Sequence, residues 1–258
     1  MKNLVCMVNF KKDKTQPNQP FVDNCAWAWQ KISLKHGADF LMWEDAIADL
    51  DELPTTFQRY YLLNVLEANK QEYDQICCVD YDTFPMWNCP NFFAMTQGQF
   101  TAVPDGGEPH QLNRSIQMVR ENWYPDVTDV NWGNYFNAGF QVYNKAHKAA
   151  LHEVIDFRKN VKNWYTVNKS SDFNDDQTIL NFAVRKHKFP ITLLPRSFNV
   201  MDHHMRCMLF NGHDSNNRFI SAIKTMEDCA NIFHFTGGND QRNQITAYIL
   251  NETAKKYE

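Results

Sequence analysis

The stretch ICCVDYDTFP, residues 76–85, ends an apolar run with two carboxylates, those of Asp80 and Asp82. A continuous apolar run of this length is typical of a buried strand. Two carboxylates at its end repel each other where water is scarce unless a cation lies between them, and hard divalent ions prefer oxygen ligands. Because ligands of open α/β sheets bind at the carboxyl ends of the strands, the pair indicates a metal site. Asp is also a favoured turn residue, so a plain turn is the alternative interpretation of the pair.

The composition is that of a globular protein of enzyme size. The chain has 258 residues, of which 43% are hydrophobic and 14% aromatic, and this is too apolar for a disordered chain. Its length allows one large domain or two lobes. The net charge of -4 and the isoelectric point near 6.1 argue against a surface that binds nucleic acid.

The cysteines and the apolar segments indicate the compartment. The seven cysteines include Cys77 and Cys78, which point to opposite faces of the predicted strand and cannot bridge, and no C-x-x-C spacing occurs. The thiols are therefore expected to be reduced. The apolar run over residues 4–10 is too short for a signal peptide, and no stretch approaches the ~20 apolar residues of a membrane span. We expect a cytoplasmic protein whose contact with membranes, if any, is peripheral.

Strand and helix patterns alternate along the chain, which predicts a mixed α/β architecture. The predicted strands cover residues 4–8, 40–43, 75–79, 100–103, 139–143, 191–194 and 231–235, and the predicted helices cover 20–35, 55–71, 145–161, 175–186 and 243–256. In the helix over 55–71, Phe57, Tyr61, Val65 and Ala68 share one face. Two polar stretches, 105–134 and 201–217, are predicted to be long functional loops.

Four segments of the chain, the acidic pair among them, bear on one family. The segments DYDT at 80–83, YFNAGF at 135–140, DQTILN at 176–181 and IFHFTG at 232–237 follow one another in this order. Together they resemble the signature set of the GT-A glycosyltransferases, and above all the glycogenin and bacterial galactosyltransferase group (glycosyltransferase family 8). The resemblance covers about residues 4–242. It implies a GT-A fold with a Rossmann-like mixed central sheet flanked by helices, in a single domain over 1–258. About 1–105 would bind the nucleotide and about 106–258 would build the acceptor site.

The resemblance also implies the reaction. Relatives use a divalent metal, usually Mn²⁺, to move a sugar from a nucleoside-diphosphate sugar to a hydroxyl acceptor. For this chain we expect Mn²⁺ or Mg²⁺, a UDP-sugar donor, a glycan, protein or lipid acceptor, and no nucleic-acid partner. The family's metal ligands fall on Asp80, Asp82 and His234. Manganese accepts both carboxylate and imidazole ligands, and its charge offsets the charge that grows on the leaving diphosphate. A buried histidine without a ligand is the alternative interpretation of His234.

The other site residues are carried over from the family by position. Asp176 and Gln177 match the segment nearest the sugar and the acceptor and are assigned to catalysis, although an Asp at 175 or 176 also suits a helix cap. Arg59 matches a residue that contacts the donor, although on a regular helix it faces away from Phe57 and would be solvated. The residues assigned to the donor nucleotide-sugar are Asn9, Arg59, Asp80, Tyr81, Asp82, Asp105, Asn137, Ala138, Gly139, Gly237 and Arg242.

One position departs from the family pattern. Relatives carry a Lys six residues after the metal-binding His, where it binds the diphosphate, but this chain has Asp240 there. An Asp does not neutralise a phosphate. Arg242 is the candidate replacement, because a guanidinium binds phosphate in bidentate fashion.

Two other functions stay open. A sugar-1-phosphate nucleotidyltransferase shares the acidic metal pair, but a Gly-rich loop is expected after its first strand, and this chain has NFKKDK at 9–14. A glycan-binding protein with a decayed transferase fold is the second alternative, and Asp240 favours it. Retention of the anomeric configuration is the expectation from the glycogenin group, whereas other GT-A families invert it with a carboxylate base.

Overall fold

The computed structural model of the chain describes residues 1–11, 17–161, 175–201, 228–236 and 242–258. The strands are β1 (Asn3–Val8), β2 (Ala38–Trp43), β3 (Gln75–Asp80), β4 (Thr83–Pro85), β5 (Phe100–Pro104), β6 (Phe136–Tyr143), β7 (Ile191–Leu193), β8 (Val200–Met201) and β9 (Ile232–His234). The helices are α1 (Pro20–Lys35), α2 (Thr55–Gln58), α3 (Leu62–Ala68), α4 (Pro109–Trp123), α5 (Lys148–Asn160), α6 (Asp175–Lys186) and α7 (Arg242–Thr253).

The described strands form two sheets. The larger is mixed and has the order β2-β1-β3-β6-β5-β7, in which β1 runs parallel to β2 and β3 while β6 runs antiparallel to both of its neighbours. The smaller has the order β4-β9-β8. In the register, Val8 lies beside Asp80 and Val79 lies beside Phe140. The carboxyl ends of β1 and β3 and the first residues of β6 therefore meet at one edge of the large sheet, which we call the site edge.

Two apolar layers cover the two faces of the large sheet. Alternate residues of β1 point to opposite sides, so that Cys6 belongs to one layer and Met7 to the other. Helices α2, α3, α5 and α6 cover the first layer, and α1 and α7 cover the second. Strands β1 and β3 are buried on both faces, which explains the apolar runs in their sequences. For β3 this confirms the prediction of a buried strand.

The predicted helix over 55–71 is wrong in its middle. A 3₁₀ turn, Arg59–Tyr61, separates α2 from α3. A 3₁₀ turn has three residues per turn, so it rotates the faces of the segments that flank it. Arg59, which a regular helix would leave in solvent, is 5% exposed, whereas Ala68 on the predicted buried face is exposed.

The predicted loop over 105–134 is also wrong in part, because it contains α4. Leu112, Ile116 and Val119 of this helix are buried with helical spacing, and Pro109 begins it. The second predicted loop, 201–217, lies beyond Met201 outside the described residues. The division into a nucleotide-binding half and an acceptor-binding half stays a prediction.

The described residues bear on the predicted thiols and on the predicted lack of a membrane span. Their six cysteines are free thiols, and Cys229 is the exposed one. None of their helices combines the length and the apolar character that crossing a membrane requires.

Candidate metal centre

Three side chains that are far apart in the sequence converge at the site edge. Asp80 ends β3, Asp82 follows two residues later, and His234 ends β9. The antiparallel pairing of β4 with β9 puts Thr83 opposite His234, and the amide of Phe235 donates a hydrogen bond to the carbonyl of Asp82 at 2.9 Å. As a result, one ligand atom from each of Asp80, Asp82 and His234 lies within 4.8 Å of the other two.

The charges around His234 favour a cation at this place. Its Nε2 lies 3.3 Å from Asp82 Oδ1 and 3.6 Å from Asp80 Oδ2, and the ring is buried. Burial lowers the pKa of His234, but the carboxylates of Asp82 and Asp80 outweigh it, so the net shift is upward. The other nitrogen, Nδ1, lies 3.1 Å from Asn199 Oδ1, an arrangement that orients the ring. A metal ion held by this imidazole would compete with the proton, so its binding would weaken as the pH falls.

The residues present fit a divalent ion. Two carboxylates and one imidazole are a donor set that suits Mn²⁺. The backbone of β6 passes directly against them: a Cβ atom placed on Gly139 would collide with the His234 ring and lie 2.9 Å from Asp80 Oδ2. Glycine therefore leaves the space in which these ligand atoms converge, and the cluster could hold a divalent metal.

Arg59 connects this cluster with the residues assigned to the sugar. Its Nη1 donates to Asp80 Oδ1 at 2.5 Å and to the carbonyl of Ala138 at 2.9 Å, while its Nη2 lies 3.6 Å from Asp176 Oδ2. Burial lowers the pKa of Arg59, but Asp80 and Asp176 raise it further than burial lowers it, so the guanidinium stays charged. The alternative of a solvated Arg59 is therefore wrong.

A second group of predicted residues forms one hydrogen-bonded cluster beside the first. Gln177 Nε2 donates to Asp105 Oδ2 at 2.7 Å, and Gln177 Oε1 accepts from Asn137 Nδ2 at 2.9 Å and from the Ala138 amide at 3.0 Å. Asn137 Oδ1 in turn accepts from the Gly139 amide at 2.8 Å. The structure thus places these residues next to the candidate metal ligands.

A cleft of about 400 Å³ adjoins Asp82 on the other side. Its lining includes Asn9, Lys11, Tyr81 and Arg242. The guanidinium of Arg242 lies 5.2 Å from the centre of the Phe21 ring, and its Nη2 is 3.9 Å from Asp82 Oδ2. Its Nε is buried and has no hydrogen-bond partner among the described residues. The cleft has the size of a small-ligand pocket and carries positive charge beside the acidic cluster.

Most of the predicted site residues thus lie around one edge of the sheet. Gly237 and the departing Asp240 lie outside the described residues. Sequence reasoning missed Tyr60, whose hydroxyl contacts Asp176, and Asn199, which contacts His234. Neither residue belongs to a motif, so no sequence signal would single out Tyr60 or Asn199. The roles of the predicted residues in binding the donor and in catalysis stay predictions.

Comparisons with known proteins identify the fold. The sequence matches no protein-family model and no curated protein. The structure resembles a glycosyltransferase involved in the glycosylation of the major capsid of PBCV-1, with 11% identity, a TM-score of 0.54 and coverage of 96% of this chain and 98% of that one. It also resembles the bifunctional glycosyltransferase WbbM, with 14% identity and a TM-score of 0.56. That match covers 98% of this chain and 51% of WbbM.

Mouse xyloside xylosyltransferase 1 is a third similar structure, with 10% identity, a TM-score of 0.50 and coverage of 92% of this chain and 98% of that one. At such identities the likeness concerns the fold. It confirms the predicted GT-A fold, in which a mixed sheet is flanked by helices.

Proposed function

We propose that this protein is a metal-dependent glycosyltransferase that moves a hexose or pentose from a UDP-sugar to a hydroxyl group of a glycan, protein or lipid. The observation that carries the proposal is the convergence of two carboxylates and one imidazole at the site edge of a GT-A sheet. Asp80, Asp82 and His234 would hold Mn²⁺ or Mg²⁺. The ion would offset the negative charge that grows on the departing nucleoside diphosphate.

The chain's own residues would bind the nucleotide on one side of this centre. The cleft beside Asp82 offers the amide of Asn9 and the ring of Tyr81 to the nucleoside. Arg242 offers a guanidinium to the diphosphate, and its buried Nε has no partner among the described residues. In this proposal Arg242 supplies the positive charge that relatives obtain from Lys at the position of Asp240.

The sugar would lie on the other side of the centre, against Gly139. Asp105, Asn137 and Gln177 form a connected polar wall there, and Asp176 adjoins it through Arg59. The carboxylates of Asp105 and Asp176 already accept hydrogen bonds from Gln177 and from Tyr60. We propose that these contacts orient the two carboxylates beside the donor sugar, and that the anomeric configuration is retained, as the resemblance to the glycogenin group implies.

Metal-dependent turnover of the donor is the test of this function. Release of nucleoside diphosphate is measured over a panel of UDP-sugars and GDP-sugars, with Mn²⁺, with Mg²⁺ and with EDTA. We expect at least one UDP-sugar to be hydrolysed slowly in the presence of Mn²⁺, EDTA to abolish this, and excess Mn²⁺ to restore it. Formation of sugar 1-phosphate from a UDP-sugar and pyrophosphate would point instead to the nucleotidyltransferase. Glycan binding without any binding of UDP would point to the non-catalytic alternative.

Replacing Arg242 with Met is expected to weaken UDP binding while leaving the metal site intact. Loss of a hydrogen bond to a charged group costs about 1.5–3 kcal/mol, so the Kd for UDP rises about 10- to 100-fold. Mn²⁺ alone should bind as tightly as before or tighter, because a cation 3.9 Å from Asp82 is gone. Calorimetry measures both affinities. Arg114→Met, which removes the same charge from the exposed face of α4, is the matched control. An unchanged Kd for UDP in the Arg242 variant contradicts the assignment.

A further inference from the structure

A buried hydroxyl contacts the sugar side of the proposed site. Tyr60, in the 3₁₀ turn between α2 and α3, is 1% exposed. Its hydroxyl donates a hydrogen bond to Asp176 Oδ2 at 2.5 Å. Asp176, in the first turn of α6, is itself 4% exposed. The contact joins two segments that are 116 residues apart, in a part of the molecule from which water is excluded.

Two consecutive residues act on the same carboxylate oxygen. Arg59 Nη2 lies 3.6 Å from Asp176 Oδ2, the oxygen that accepts from Tyr60. The ion pair alone is long and weakly directional, whereas a phenol O–H donates along one direction to one oxygen. The Tyr60 hydroxyl therefore limits the rotation of the carboxylate more than Arg59 does. Burial, and then the charge of Asp176, raise the pKa of Tyr60, so the phenol keeps the proton that it donates.

Tyr60 acts on the sugar side and leaves the metal side untouched. Arg59 bonds both Asp80 and Asp176, so its removal would disturb both sides at once. Among the described residues, the Tyr60 hydroxyl donates to Asp176 and makes no hydrogen bond to Asp80, Asp82 or His234. Removing this hydroxyl is therefore expected to affect the residues on the sugar side and to leave the metal ligands in place.

We infer that Tyr60 is a positioning residue that sets the direction of the Asp176 carboxylate toward the donor sugar and so contributes to the choice among sugars. The inference rests on the proposed function, in which Asp176 lies at the sugar. Epimeric sugars differ in the direction of one hydroxyl, and a carboxylate held in one orientation accepts a hydrogen bond from one direction. Sites that bind a substrate hydroxyl with a fixed polar group discriminate strongly against analogues that lack it.

The test compares Tyr60→Phe with Tyr143→Phe. Tyr143, in β6, is also buried, and its hydroxyl lies beside the Cys78 thiol and makes no hydrogen bond to Asp176, so its removal controls for the loss of a buried phenol. For the best UDP-sugar, Tyr60→Phe is expected to lower kcat/KM about 10- to 100-fold, the range for a hydrogen bond to a charged group. The ratio of kcat/KM between that sugar and its epimers should fall as well. The Kd of UDP measured with Mn²⁺ should stay within about twofold, well under the tenfold that corresponds to 1.4 kcal/mol.

The outcomes separate this inference from the proposed function. Unchanged donor discrimination in Tyr60→Phe, or an equal loss in Tyr143→Phe, would overturn the positioning role. So would crystal structures in which the Asp176 carboxylate has the same orientation in the wild type and in Tyr60→Phe, and this readout needs no turnover. A wild-type protein that binds no UDP with Mn²⁺ would overturn the proposed function, while the crystal structures would still decide whether Tyr60 orients Asp176.

Discussion

Replacing Asp82 with Asn is expected to lower the affinity for Mn²⁺ by about 100-fold or more and to reduce donor turnover at least as much. Partners that merely orient a metal ligand are worth about 10- to 100-fold in affinity, so loss of a charged ligand costs at least the upper end of that range. Asn has the shape of Asp but lacks its charge. The change therefore removes the attraction for the ion and leaves the packing at the end of β3 in place.

Asp82 separates metal binding from folding better than Asp80 does. Asp80 is bonded to the buried Arg59, and removing it would leave that guanidinium without its nearest carboxylate, a costly defect. Asp82 lies 3.3 Å from His234 and 3.9 Å from Arg242. Of the charges that raise the pKa of His234, that of Asp82 has the largest effect. In the metal-free Asp82→Asn variant, the pKa of His234 should therefore fall, and an NMR titration of the imidazole measures this without any substrate.

The control for this variant is Asp126→Asn, which makes the same charge change at an exposed position after α4. It should leave Mn²⁺ affinity, turnover and the His234 titration as they are in the wild type. An Asp82→Asn variant that binds Mn²⁺ with nearly wild-type affinity would place the metal elsewhere and would remove the basis of the proposed function.

The central strand and its acidic end were predictable because the signal is local. An unbroken apolar run followed by charge specifies a doubly buried strand that ends at a sheet edge, and β3 ends at Asp80 as this reasoning predicts. The assignment of His234 came from the family resemblance alone. Its approach to Asp82 depends on the pairing of β4 with β9, two three-residue strands about 150 positions apart. Strands that short carry too little periodicity to be paired from sequence.

The errors around Arg59 have a related cause. Helical periodicity over 55–71 predicts one face for the whole segment, and a single 3₁₀ turn is enough to rotate the two halves against each other. The turn buries Arg59 between two carboxylates and brings the Tyr60 hydroxyl to Asp176. Burial of the Arg59 charge is favourable only because Asp80 of β3 and Asp176 of α6 lie beside it. Both partners are distant in sequence, so the periodicity of residues 55–71 cannot predict this burial. Helix α4 was missed for a different reason. The Gly, Pro and Asn residues around it are typical of a loop, and they outweighed the helical spacing of its apolar residues.

Replacing Gly139 with Ala is expected to disable the metal site from the backbone side. The added Cβ would collide with the His234 ring and lie 2.9 Å from both Asp80 Oδ2 and Asn137 Oδ1. Strand β6 cannot move away easily, because it is hydrogen-bonded between β3 and β5 and its residues are buried. Overpacking at such a place costs about 1–3 kcal/mol. The side chains must therefore shift, and those that shift are the proposed ligands.

Thermal unfolding with and without Mn²⁺ separates loss of the site from loss of stability. A ligand at 100 times its Kd stabilises the folded state by about 2.7 kcal/mol, and this increment disappears when the affinity is lost. For Gly139→Ala we expect both a lower midpoint without metal and a much smaller rise on adding Mn²⁺. Gly133→Ala is the control: its Cβ would lie 3.1 Å from Asn131 Oδ1 in an exposed loop that can adjust, so the full rise should remain. A Gly139→Ala variant could be less stable and still show the full rise in unfolding midpoint on adding Mn²⁺. This would mean that β6 moves while the ligands stay in place, and the proposal that the site needs a glycine at this position would then be wrong.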